Sequence, residues 1–381
     1  GNTDGNGIGD FFYTPPSGFL ALCTSNLPEP TIGPNASTIA TDHFDILLHT
    51  ADGSAGAFTG ADFQPDWIWA KNRTNAYSHE LWDSSRGVNS DLQSDNSNPE
   101  ITDTGRLVSF DSGGFSYGTS SNLYVNNTAS VAWLWKANAG TTTTNDASST
   151  GVGSIDSVFQ ANTTAGFSIV QYEATGSAGT IAHGLSAAPT FMILKSRDQN
   201  GAQWVVYYGD NTDYVVLQAT DATVDGESTW NDTSPTSTVF SVGVNGGDSN
   251  NSNGGSMIGY IFHDVEGYSK FGSYISNDNA EGPFVFLGFK PAFLLFKQIT
   301  NSQPWGIWDK LRRNDFNPRD ESIRPDQNNV AYSADTQYTL LDFLSNGFKH
   351  RNVGGESNSN AGATYIYAAF AEAPFKYSNA E

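Results

Sequence analysis

Three segments of the chain carry one pattern: Gln64-Pro-Asp-Trp-Ile-Trp-Ala-Lys71, Ala188-Pro-Thr-Phe-Met-Ile-Leu-Lys195 and Lys290-Pro-Ala-Phe-Leu-Leu-Phe-Lys297. In each, a proline precedes an apolar run and a lysine closes it six residues after the proline. Internal repetition constrains the fold more than composition does, because each copy must build the same supersecondary unit. The repeats extend outward from these segments. Trp82-Asp-Ser-Ser-Arg86 matches Trp308-Asp-Lys-Leu-Arg312, and Phe110-Asp-Ser-Gly-Gly-Phe115 matches Phe343-Leu-Ser-Asn-Gly-Phe348. Each copy ends on an aromatic run: Trp133-Leu-Trp135, Tyr260-Ile-Phe262 and Tyr367-Ala-Ala-Phe370. The middle copy has Val206-Tyr-Tyr-Gly-Asp210 in place of Trp-Asp-x-x-Arg.

Short aromatic and β-branched runs bounded by Gly, Asn, Asp and Ser are strand signals, and no helical periodicity beyond about three turns interrupts them. The sequence therefore predicts an all-β chain of three tandem β-sandwich-like modules behind an extended N-terminal connector. The expected boundaries are a connector over 1–42, modules over 43–140, 167–266 and 267–381, and a Thr/Ser/Gly-rich linker over 141–166 that includes the strand leading into module two. The tract from Leu311 to Asp326, with its Arg, Asp and Pro residues, reads as a long polar loop. Apolar residues on both faces of Trp67–Ala70 imply a sheet covered on two sides. Lys71 is then expected to reach solvent at the strand end.

Composition removes several functions. A net charge of −22, with 18 Lys and Arg against 40 Asp and Glu, leaves no broad cationic footprint for nucleic acid. A single cysteine, Cys23, allows no internal disulfide and no Cys-ligated metal. No apolar run has the length of a membrane helix, so membrane insertion is not expected. The six histidines are scattered and form no metal-ligand spacing. No nucleophile elbow, P-loop or dinucleotide fingerprint is present, so no catalytic residue is assigned and the chain is read as non-enzymatic.

Two weaker sets of candidate binding residues remain. Trp82, Trp204, Trp230, Trp305 and Trp308 lie near predicted loops, where exposed aromatics stack on sugars or anchor protein partners. Asn2, Asp4, Asn6 and Asp10 place oxygen ligands at alternate positions, as in half of a calcium loop, although Tyr13 stands where an acidic ligand is required. A solvated turn and a Ca²⁺ site are both consistent with that spacing. No other cofactor is expected. Asp83 and Asp309 are equivalent positions of separate repeats, so they read as partners of Arg86 and Arg312 that pin turns, not as a glycosidase pair.

Pro15-Pro-Ser-Gly-Phe-Leu-Ala-Leu-Cys-Thr24, His183-Gly-Leu185, Gly267-Tyr-Ser-Lys-Phe-Gly-Ser-Tyr274 and Tyr365-Ile-Tyr-Ala-Ala-Phe-Ala-Glu-Ala-Pro-Phe-Lys-Tyr377 resemble the C-terminal repeat region of virion-surface or tail-fibre-like proteins of marine tailed bacteriophages. In those proteins the region follows a lectin-like (SPRY or concanavalin-like) domain. The resemblance implies an extracellular virion-surface component that adheres or builds structure, with other virion proteins and a host surface glycan or protein as partners. It further implies a homo-oligomer, most simply a trimer, and a chain that continues an upstream polypeptide. The alternatives are a capsid decoration or appendage subunit without a receptor role, a polysaccharide depolymerase, and a cellular secreted carbohydrate-binding protein.

Overall fold

The computed structural model describes residues 1–226, 228–244, 250–312, 316–333 and 340–378. The chain is almost entirely antiparallel β structure. The first repeat forms a sheet from β1 (Phe44–Thr50), β2 (Trp67–Asn72), β3 (Glu80–Asp83) and β4 (Ala129–Trp135). The second uses β5 (Phe167–Glu173), β6 (Phe191–Ser196), β7 (Val205–Tyr207) and β8 (Ser256–Phe262). The third uses β9 (Ser269–Ile275), β10 (Phe289–Gln298), β11 (Gly306–Asp309) and β12 (Thr364–Pro374). Strand order is the same in all three: β1-β4-β2-β3, β5-β8-β6-β7 and β9-β12-β10-β11. Register repeats as well, with Trp67 opposite Trp135, Phe191 opposite Phe262, and Phe293 opposite Phe370.

Alternation gives each large sheet two apolar faces. The outward face packs on a smaller sheet: Gly56–Thr59 with Gly114–Tyr117 and Leu107–Asp111, Gly179–Ala182 with Val239–Val242, and Phe284–Phe286 with Gly347–His350 and Leu341–Leu344. In the first unit this sandwich buries Ile68, Trp82, Phe115 and Leu134. The repeated Gly-Phe at the second turn has a steric origin. A Cβ on Gly114 would sit 1.9 Å from the Phe58 carbonyl oxygen, and one on Gly347 would sit 2.0 Å from that of Val285. Only glycine lets the neighbouring strand approach so closely.

The inward faces are the larger surprise. Trp67, Trp69, Trp133 and Trp135 of the first sheet join Phe191, Tyr260 and Phe262 of the second and Phe293, Leu295 and Phe370 of the third in one buried cluster. Trp67 stacks on Tyr260 with ring centroids 4.2 Å apart, Phe44 stacks on Phe370 at 5.2 Å, and Phe262 meets Phe370 edge-on at 5.6 Å. The three sheets therefore share a common core, and the units do not hang as beads. Covering both faces of each sheet requires this arrangement, because the sandwich alone leaves the inner aromatics wet.

Several expectations change accordingly. Within 141–166, Thr143–Asn145 and Ser157–Asn162 extend the second sheet beyond β5. Within Leu311–Asp326, Glu321–Ser322 pairs as a short strand, while 313–315 lie outside the described residues. The connector docks at one end, where Ile32 and Ala40 are buried and Lys376 donates to Glu29 Oε1 at 2.6 Å and to the Leu27 carbonyl at 2.8 Å. No helix among the described residues is long and apolar enough to cross a membrane.

Candidate functional site

The closure of the three units is built from equivalent hydrogen bonds. Trp204 Nε1 donates to the Gln93 carbonyl and Trp305 Nε1 to the Val216 carbonyl, each at 2.9 Å. His79 Nε2 meets the Arg324 carbonyl at 3.0 Å. Register makes these one contact seen three times. The donors stand two residues before Leu81, Val206 and Ile307, which face Trp69, Ile193 and Leu295. The acceptors follow Leu92, Val215 and Ile323, the bridge partners of those same residues. A backbone bond repeats the cycle: Glu100 N–H to Arg197 O (2.6 Å), Thr223 N–H to Ile299 O (2.9 Å) and Ala331 N–H to Arg73 O (3.1 Å). Unit one thus joins unit two, two joins three, and three returns to one, which is quasi-threefold closure.

The Trp-Asp-x-x-Arg motif lies on two of these seams. Arg86 Nε pairs with Asp83 Oδ2 at 2.5 Å, and Arg312 Nε with Asp309 Oδ2 at 2.6 Å, all four side chains being buried. Each aspartate also receives a donor from the next unit: the Tyr260 hydroxyl reaches Asp83 Oδ2, and Trp133 Nε1 reaches Asp309 Oδ2, both at 2.9 Å. Tyr260 and Trp133 are equivalent, facing Ile193 and Trp69. At the third seam the donor position is Ala368, facing Leu295, and the aspartate position falls on Tyr208. Acceptor and donor are lost together, which explains why the middle repeat lacks the motif. The carboxylates expected to pin turns do so, and they pin the seams as well.

The closing lysine of each repeat is buried, not solvent-facing. Lys71, Lys195 and Lys297 point along the inward face and donate to the carbonyls of Asn72, Ser196 and Gln298 at 2.6, 2.9 and 2.7 Å. Lys195 also donates to Ala202 O at 2.9 Å, and Lys297 crosses to Thr220 O at 3.1 Å. Burial pulls all three ammonium groups down to about 8 from the usual 10.5. A depressed folded-state value means the charged form is penalised in full below pH 8 and relieved as pH rises toward 10.5. Stability should therefore climb between about pH 8 and pH 10, by on the order of 2 kcal/mol per lysine. Denaturant midpoints measured across that window should show the climb, and Lys195→Met should remove about a third of it.

The two sets of candidate ligand residues are placed elsewhere than a binding surface. Trp82, Trp204, Trp230, Trp305 and Trp308 are each at most 1% exposed, and the other four tryptophans at most 2%, so none can stack on a sugar. Trp82 and Trp308 lie within strands β3 and β11, and Trp204, Trp230 and Trp305 lie outside strands; all five turn inward as seam and sandwich anchors. Trp230 Nε1, for instance, donates to the Asp213 carbonyl at 3.1 Å. Asp4 spends both carboxylate oxygens on protein donors: Asn6 N–H and Ile8 N–H on one, Ala21 N–H and Asn26 Nδ2 on the other. These bonds, led by that from Ala21, hold its carboxyl down to about 2. Asn2 turns its amide to the Phe11 and Phe12 carbonyls, Asn6 to Asn26, and Asp10 pairs with the Gly1 amino group. With these partners the segment is a hydrogen-bonded knot.

What the fold does display is a loop end. The turns that follow the three lysines and those that carry the seam carbonyls meet there. They expose Asn98, Asp198, Asn200, Asp221, Asn301 and Asn329 on a rigid base. At the opposite end, where connector and C-terminal segment meet, Leu27, Pro28, Lys270, Phe286, Pro374 and Lys376 line an open groove of about 490 Å³.

The chain belongs to the family described as Domain of unknown function (DUF7483), which matches residues 39–374 and so spans all three units. No curated protein matches it.

Proposed function

We propose that the chain is a non-enzymatic structural and adhesion element of a bacteriophage surface. In this reading the three-unit body is a stiff carrier, and its loop end contacts a host glycan or protein. The observation that supports it most is the closed cycle of seam bonds, which fixes loops from three units on one rigid platform. Weak contacts from several loops then add without an ordering cost, because the platform is already formed. A homotrimer of such bodies would multiply those contacts again. A depolymerase finds less support, since Asp83 and Asp309 are committed to buried arginines and to donors from neighbouring units. Immunogold labelling of purified phage particles tests the reading. Label at fibre or tail tips is the expected result, label over the head lattice would favour a decoration subunit, and protein confined to host cytosol would refute both.

A further inference from the structure

We propose that the seam between the first and third units is an acid-sensitive closure, in which protonation of His79 releases the 324–327 turn from the first unit. This seam differs from the other two in a way the quasi-threefold repeat makes visible. Where Trp204 and Trp305 present an indole N–H that cannot titrate, the first unit presents His79. It is also the seam that joins the first and last units of the chain, so no short covalent connection backs it as 141–166 and 263–268 back the others.

Geometry fixes the imidazole in one form. Trp69 Nε1 donates to His79 Nδ1 at 2.9 Å, so Nδ1 must accept, and the remaining proton sits on Nε2, aimed at the Arg324 carbonyl. A second proton can enter only on Nδ1, where it would face the indole N–H. The two donors repel, and the ring must turn away from Trp69 or from Arg324.

The surroundings give the added charge little to hold it. Burial first, then Lys71 on β2 and Arg312 after β11, keep the imidazole well below its ordinary value against the opposing pull of the Arg324 and Gln327 carbonyls. Asp95, in the loop facing His79, already accepts from the Ser78 hydroxyl and the His79 backbone N–H, and burial raises it. Glu80, next along the strand, is committed to Arg106 and Ser121. On the partner turn, Arg324 is paired with Glu356. Asp326 is buried there with neither carboxylate oxygen hydrogen-bonded among the described residues, and burial lifts it to about 7. It is therefore neutralised in the range where His79 would need an anion. The two signs oppose: His79 supports the seam in full above its unfolded value near 6.5 and that support drains as pH falls, whereas Asp326, raised in the folded chain, gains support over the same fall, so the imidazole's part is read with Asp326 replaced by Asn. Of the other buried histidines, His183 against Thr236 and His350 against Ser357 lie inside single units, and His43, which meets Asn162 of the second unit, sits at the opposite end of the first sheet from the 324–327 turn.

Hydrogen exchange on the full chain, corrected for intrinsic rate, tests the closure between about pH 7.5 and pH 5. In Asp326→Asn, exchange over 321–331 should accelerate by about tenfold or more on acidification, while 213–219 at the equivalent seam stays constant. Adding His79→Gln, which supplies an oxygen for Trp69 and an amide N–H for Arg324 without a titratable group, should abolish the acceleration. An unchanged profile in Asp326→Asn, acceleration spread evenly over all three seams, or the same response in the double variant would each overturn the proposal. The comparison of the two seams within Asp326→Asn decides the matter without reliance on the folding of His79→Gln.

Discussion

Trp67→Ala is expected to destabilise the protein by about 4 kcal/mol and to do so in all three units at once. Trp67 is buried on the inward face of the first sheet, yet its ring lies 4.4 Å from Trp135 and 4.2 Å from Tyr260 of the second unit, with Phe167 and Phe262 also within contact range. Truncation removes a large apolar surface from water and leaves a cavity that stiff neighbouring strands cannot fill. Were the units independent sandwiches, the loss would be confined to unfolding of residues 43–140. A shared core predicts instead that probes in the second and third units shift by the same amount. Denaturant unfolding followed by fluorescence and by segment-resolved exchange separates the outcomes.

Asp309→Ala should cost about 3–5 kcal/mol, because it strips a buried cation of its counter-ion. The Arg312 side chain is 1% exposed, and its next carboxylate, Glu321, is 3.8 Å away. The same substitution orphans Trp133 Nε1, which crosses from the first unit to Asp309. Trp133→Phe removes that donor together with part of a buried ring and should cost about 2 kcal/mol. In Asp83→Ala the loss should be smaller, since Arg86 retains Glu100 at 2.9 Å. Equilibrium unfolding of the three variants checks the order. Equal losses at Asp83 and Asp309 would mean that Glu100 does not compensate Arg86 as its position implies.

Much of this architecture can be read in the sequence, for definite reasons. The prolines at 65 and 189 stand just ahead of their strands and Pro291 sits at a register shift within β10, places that need no ladder bond, so the repeat marks three equivalent sheets directly. Apolar residues on both strand faces announce two covered sides. What covers the inner side is not local information: Trp67 meets Tyr260 nearly two hundred residues away, and no spacing rule reports that. The lysines mislead for a related reason. A strand-end lysine usually snorkels to solvent, but here all three are buried and donate to carbonyls, Lys71 and Lys195 within their own units and Lys297 across to Thr220 of the second. The loop tryptophans were legible only in part. Counted from the prolines, His79, Trp204 and Trp305 fall 14, 15 and 14 residues on, so one column of the repeat holds two indoles and an imidazole. That column is the signal for a repeated structural N–H donor, and it argues against a stacking platform on Trp204 and Trp305. Asp4 was ambiguous because an Asx turn and half a calcium loop share the same alternation of Asn, Asp and Gly.

Calorimetry of the intact chain tests the shared, closed core most directly. Three sheets bound through one aromatic cluster and a complete cycle of seams should melt in a single transition, with a calorimetric enthalpy close to the van't Hoff value. Two or three resolved transitions, each with the enthalpy of a unit of about 100 residues, would show that the units fold on their own and would contradict the account.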